Sequence, residues 1–158
     1  MKGSKKILDA LNDILTAELT GINQYFLHAK MCENWGYERL HQKGRAAAIG
    51  EMKHADTLVE RILFLEGTPN VQKLNKISIG ETVPEQLKLD LALEQDAVKR
   101  LNKAIALCVE AGDNGSREIL ESMLRSEEDH LSWLETQLKI IEQIGVEPYL
   151  AEHIHEDE

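Results

Sequence analysis

The chain has 158 residues and a formal net charge of −10 at pH 7. That length suits one domain able to bury a core, the 42% apolar share with only 3 prolines favours helices, and the acidic excess excludes a nucleic-acid surface. No apolar run approaches the roughly 18 residues that span a membrane, the start MKGSKKILDALNDIL lacks the apolar core of a signal peptide, and Cys32 and Cys108 are too few for a disulfide scaffold, so the expected compartment is a reducing cytoplasm.

Four segments carry helical periodicity. The first runs from about Lys5 to Asn34, with Leu8, Leu11, Leu15, Ile22, Tyr25 and Ala29 on its stripe. The second runs from about Glu38 to Glu66, with Ala47, Leu58, Ile62 and Leu65. The third begins near Thr82, where Thr82-Val83-Pro84-Glu85 reads as a capping box with proline in the first turn. Its stripe is Leu87, Leu91, Val98, Leu101, Ile105 and Cys108. The fourth follows the turn Gly112-Asp113-Asn114-Gly115 and carries Leu120, Met123, Leu134, Leu138 and Ile141. A short fifth helix is expected after Pro148. The reading is all-α: a four-helix bundle over 1–145 and a short helix with an acidic, histidine-bearing tail over 146–158, all one domain, 1–158.

The stripes have polar gaps. Glu18 falls on the first seam between Leu15 and Ile22; Glu51 and His54 fall between Ala47 and Leu58; Glu94 between Leu91 and Val98; Glu127 and His130 between Met123 and Leu134. Each helix thus sets an acid, or an acid and an imidazole, in its own hydrophobic seam. A buried unpaired carboxylate costs several kcal/mol, so such groups must be paired, protonated or bound to metal. No Lys or Arg lies on these seams to pair with them.

The spacing is repeated. Glu51 follows Glu18, and Glu127 follows Glu94, by 33 positions; His54 and His130 are 76 apart, as are Glu18 and Glu94. The pattern Glu-x32-Glu-x-x-His is used twice. Each half folds as an antiparallel hairpin, turning near Asn34-Trp35-Gly36 and near Ala111, which brings each Glu level with its Glu-x-x-His partner. Two such hairpins about a pseudo-two-fold axis place all six groups at one depth. Di-iron and di-manganese helix bundles use this ligand arrangement. Two divalent ions would neutralise four carboxylates, and imidazole on each favours iron over calcium or magnesium; zinc would prefer fewer, tetrahedral ligands. The competing reading is a polar layer that serves packing alone. Two further Glu-x-x-His pairs, Glu38-His41 and Glu152-His155, fall off the seam or in the tail EHIHEDE and read as solvated. The 15 or so residues between Gly67 and Glu81 are too many for a tight turn. At roughly 3.3 Å each they reach about 50 Å, the length of a helix, as in the single long crossover of ferritin-like bundles.

The chain resembles the bacterioferritins over nearly its whole length, in the start MKG, LTAELTGINQYFLHAKM, EMKHADTLVERILFLEGTPN, the LALE segment, SEEDHLSWLETQL and PYL. The resemblance implies a ferritin-like four-helix bundle with one long crossover between helices 2 and 3 and a short C-terminal fifth helix. It implies Glu18 and Glu94 as terminal ligands, Glu51 and Glu127 as bridges, His54 and His130 each on one iron, and Tyr25 beside them. Tyr25 and Trp133 have simple packing as their other reading.

Met52 lies about 100° round the helix from Glu51, so it points out of the bundle, with Ile49 and Val59 on the same side; Leu19 and Phe26 form a second outer apolar strip on the first helix. Such strips mark interfaces. From the residues alone Met52 is an interface methionine. The resemblance implies more: one haem b shared by two subunits at a two-fold interface, held by a methionine from each, here Met52. The stretch GRAAAIG, 44–50, departs from several family members, which carry histidine and acidic residues there. Ala46, Ala47, Ala48 and Gly50 cannot ligate an accessory iron, and Arg45 stands where an aromatic near the haem is common.

The expected function is iron storage: a ferroxidase that oxidises Fe(II) at a dinuclear site of two iron ions per subunit with O₂ or H₂O₂. It would deposit ferric mineral inside a 24-subunit shell of two-fold dimers, with a ferredoxin-type reductant as a further partner and neither nucleic acid nor membrane. The alternatives are a rubrerythrin-like di-iron peroxidase, against which the lack of Cys-x-x-Cys pairs counts, and a non-catalytic helical bundle.

Overall fold

The computed structural model describes residues 1–155. It contains α1 (Lys5–Trp35), α2 (Glu38–Phe64), α3 (Val83–Ala111), α4 (Asn114–Ile144) and α5 (Val146–Ala151), with no strand among the described residues. The termini follow local chemistry. Ser4 caps α1 by accepting from the Ile7 N–H, and Thr82 caps α3 by accepting from the Glu85 N–H, with Pro84 in the first turn. Asp113 caps α4 by accepting from the Ser116 N–H. Gly36 and Gly112 end α1 and α3 in the left-handed region (φ 89° and 70°), which glycine enters without the Cβ clash. Both glycines sit at the expected hairpin turns.

The α1/α2 and α3/α4 hairpins pack together mainly through α1 against α3. α2 and α4 meet only locally, leaving a cleft of about 250 Å³ between them. The apolar core is in two parts. One is built on Leu11, Leu15, Leu58, Ile62, Leu101 and Leu120. The other is built on Cys32, Leu40, Val83, Leu87, Leu134 and Tyr149. The polar layer separates them.

The crossover, 65–82, runs along α1 and not free in solvent. Asn12, Thr20, Gln24 and His28 accept the backbone N–H groups of Asn70, Asn75, Ser78 and Gly80 at 2.8, 2.9, 3.2 and 3.0 Å. An irregular segment has no ladder for its own N–H groups; side chains one or two turns apart on α1 supply the acceptors.

Two expectations are corrected. α5 starts at Val146, two residues before Pro148, because proline fits the first turn of a helix. His41 is buried, not solvated: the hairpin turn folds the start of α2 back onto α1, and His41 Nδ1 bonds the Ala29 carbonyl at 2.9 Å. Glu152 and His155 are exposed as expected; the end of the acidic tail, 156–158, lies outside the described residues.

Candidate metal centre

Four helices deliver one layer. Glu18 comes from α1, Glu51 and His54 from α2, Glu94 from α3, and Glu127 and His130 from α4. Glu18, Glu94 and Glu127 are each only 1% exposed, and Glu51 is also buried. The two histidines keep about one-sixth of their side chains exposed, toward the cleft between α2 and α4 that Ala46, Ala47 and Gly50 line. The small side chains of that stretch are therefore what opens the layer to solvent.

The atoms converge as ligands do. His54 Nδ1 lies 3.4 Å from Glu18 and 3.2 Å from Glu127. His130 Nδ1 lies 3.1 Å from Glu94. Glu18, Glu51, His54 and Glu127 form one group with ligand atoms within 4.8 Å of one another, and Glu94, Glu127 and His130 form a second. Glu127 belongs to both, the position a bridging carboxylate needs; Glu51 sits with the first group, beside Gly21.

Charge is poorly balanced within the layer. Burial, and then the adjoining Glu127 carboxyl, pushes Glu94 up to about 8. Burial lowers the basicity of His54, but hydrogen bonds to Glu127 and Glu18 outweigh it and raise it to about 10. Burial also raises Glu18 and Glu127. One oxygen of Glu94 is buried without a hydrogen-bond partner, and an orphaned buried carboxylate oxygen is costly unless a cation takes it. Every resolved shift in the layer thus runs toward the protonated form, as burial and crowding of carboxylates require.

Tyr25 is fully buried, its hydroxyl donates to Glu94, and burial followed by the Glu94 charge holds it well above the ordinary tyrosine range. Its hydroxyl fixes one oxygen of the Glu94 carboxyl within the layer. Trp133 lies beside His130, with ring centres 6.1 Å apart and the planes tilted by 32°, and carries the Lys43 ammonium over its face. Met52 is 58% exposed on α2, with Ile49 43% exposed one turn before it and Phe26 55% exposed on α1. It is not part of the layer.

One neighbouring network was not foreseen. Asp90, one turn before Glu94, accepts from Gln24 at 2.8 Å and from His28 Nδ1 at 2.9 Å, while the Gly80 N–H bonds His28 Nε2. It ties the crossover to the third helix beside the carboxylate–histidine layer. The signal was present as Thr20, Gln24 and His28 at intervals of four, a polar row next to the apolar seam.

With this geometry in place, the comparisons decide the family. A family model for the ferritin-like domain matches residues 8–144. The chain is 45% identical over 152 residues to the bacterioferritin of Mycolicibacterium paratuberculosis (strain ATCC BAA-968 / K-10), covering 96% of each chain.

The chain belongs to the bacterioferritin family.

Bacterioferritin BfrA of Mycobacterium tuberculosis (strain ATCC 25618 / H37Rv) has the same identity and coverage. The bacterioferritin of Rhodobacter capsulatus is 46% identical over 145 residues, 92% of this chain and 90% of that protein. Membership agrees with the four long helices and short fifth helix. Among the described residues no helix is long and apolar enough to cross a membrane.

Proposed function

We propose that the protein is an iron-storage subunit with ferroxidase activity, in which the six-residue layer binds two Fe(II) ions as substrate. The observation that carries this reading is the convergence of four buried carboxylates and two imidazoles from four helices, with one carboxylate shared and one oxygen unpartnered. Glu18, Glu51 and His54 would serve one ion, Glu94 and His130 the other, and Glu127 would be shared by both.

The residues do four things. They exchange their protons for metal, since carboxylate and neutral imidazole are the ligating forms. They neutralise the pair, so that oxidation to Fe(III) is met by fixed negative charge. Tyr25 holds Glu94 through its hydroxyl and limits that carboxylate's rotation. The cleft between α2 and α4, with small side chains at Ala46, Ala47 and Gly50, admits the oxidant and releases product. Each Fe(II) gives up one electron; the pair reduces O₂ to H₂O₂, or H₂O₂ to water. Ferric product then accumulates as mineral in a hollow shell of 24 subunits built from two-fold dimers, in the cytoplasm.

Met52 fits a haem ligand by donor chemistry and position: a thioether, exposed, with apolar neighbours able to cover a porphyrin face. Two copies of Met52 across a two-fold axis would hold one haem, which supplies one-electron transfer when bound.

The test is an anaerobic Fe(II) titration followed by admission of O₂, read optically. Two Fe(II) per chain and a rapid oxidation phase are expected. Saturation without such stoichiometry sinks the reading and leaves a structural polar layer.

A further inference from the structure

A third group of metal-ligating side chains lies away from the layer, at the α1/α2 turn. Glu33 ends α1, Glu38 opens α2, and His41 follows one turn later; their ligand atoms lie within 4.8 Å of one another. His41 is the unusual member. Its side chain is nine-tenths buried, with Nδ1 fixed 2.9 Å from the Ala29 carbonyl and Nε2 2.9 Å from Glu33 Oε2. Both ring nitrogens therefore face acceptors. An imidazole so placed is satisfied only by two protons, or by one proton at Nδ1 and a cation at Nε2.

The surroundings favour the cation. A histidine donating one nitrogen to a backbone carbonyl and presenting the other to solvent-side carboxylates is the usual posture of a metal-ligating imidazole. Lys30 takes the other Glu33 oxygen at 2.6 Å and so aims Oε2 at His41. Glu38 has no hydrogen bond or ion pair among the described residues and is half-buried against the same spot. Tetrahedral ligands at about 2.1 Å from an ion lie about 3.4 Å apart, so the 2.9 Å His41–Glu33 pair would open slightly to admit the ion, with all three ligand atoms already within 4.8 Å of one another.

We propose that Glu33, Glu38 and His41 form a separate mononuclear site for a divalent transition ion of the Zn²⁺ or Fe²⁺ class, with water completing the coordination. One imidazole and two carboxylates match that class and disfavour Ca²⁺ and Mg²⁺. The bound ion would join the last turn of α1 to the first turn of α2. The proposal does not depend on the chemistry of the six-residue layer.

The test uses Zn²⁺ as the probe. Equilibrium dialysis of the assembled protein at micromolar Zn²⁺ compares the wild type with Glu38→Gln and His41→Asn. Glu38→Gln alters a half-exposed side chain, and His41→Asn keeps a donor for the Ala29 carbonyl, so at least the first should fold. Each variant should bind one Zn²⁺ fewer per chain. Wild-type crystals should show zinc-edge anomalous density about 2.1 Å from His41 Nε2. Unchanged stoichiometry in either folded variant, or zinc density at the bundle core alone, overturns the proposal; His41 is then a structural link between Ala29 and Glu33.

Discussion

Among the described residues, Glu127 is the one carboxylate that belongs to both ligand groups of the layer. Its removal deletes a bridge and a negative charge from both ions at once. Glu127→Ala should abolish the rapid phase of Fe(II) oxidation while leaving the fold intact, since it thins a crowd of four buried carboxylates and His54 keeps Glu18 as its partner. Stopped-flow absorbance checks the first part and circular dichroism the second; rapid kinetics equal to wild type would reject the site. Titration gives a second prediction at this scale. Glu94 and His54 are both raised, to about 8 and about 10, so the folded apo protein binds more protons than the unfolded chain. The Glu94 contribution is fully present below its ordinary 4.5 and is lost as pH rises through about 8. The His54 contribution is fully present below 6.5 and is lost as pH rises through about 10. Stability of the apo protein should therefore fall from pH 4.5 to about pH 10, and the extra melting temperature conferred by a bound divalent ion should grow over the same window, because ligation needs the deprotonated groups. Calorimetry in chelator and in Zn²⁺ tests both trends. A flat or rising apo profile would contradict the assigned directions.

Among the elements, the crossover depends most on side chains outside itself. Gln24 accepts from Ser78 and donates to Asp90; a leucine of similar size can do neither. Gln24→Leu leaves the Ser78 backbone N–H without its partner, at about 1–3 kcal/mol, while Asp90 Oδ1 keeps His28. The apo variant should lose stability on that scale in urea titration, with faster amide exchange at Ser78 and Gly80. A change under about 0.5 kcal/mol would mean the crossover is held by other contacts. The α3/α4 end is secured differently. Arg61 from α2 reaches Asp113 at 2.9 Å and Ser116 at 3.0 Å, so the cap of α4 also fastens the end of the neighbouring hairpin. Burial opposes ionisation of Asp113, but the Ser116 and Arg61 hydrogen bonds prevail and hold its carboxyl below the usual range.

At the scale of the whole molecule, the outer face of α1 and α2 is too apolar for a chain that works alone. Phe26, Ile49, Met52, Leu63 and Phe64 are all exposed, and such faces are covered by association. A two-fold axis lets one methionine per subunit supply two ligands to a shared group. Met52→Leu keeps nearly the same volume and should cost under about 1.5 kcal/mol. The variant should assemble and oxidise Fe(II) as wild type but purify without haem, read as Soret absorbance per chain after haem reconstitution. Wild-type haem stoichiometry in Met52→Leu would return Met52 to ordinary interface packing.

The amphipathic stripes, the two glycine turns and the repeated Glu-x32-Glu-x-x-His were legible because each follows from helical period: a charge on an apolar seam is visible in one dimension. The same period put Glu18, Glu51, His54, Glu94, Glu127 and His130 on facing seams and predicted the all-α hairpins. Tertiary structure decided what period cannot encode. It placed His41 indoors, because burial there comes from the turn folding α2 onto α1 and not from the stripe of α2. It turned Thr20, Gln24 and His28 into acceptors for the crossover, because their need for partners is set by a segment more than fifty residues away. It also made Glu127, and not Glu51, common to both ligand groups, since the two hairpins pack through α1 and α3 while α2 and α4 stand apart over the cleft. A sequence repeat specifies which residues face the centre; the unequal approach of the helices sets how far each side chain reaches.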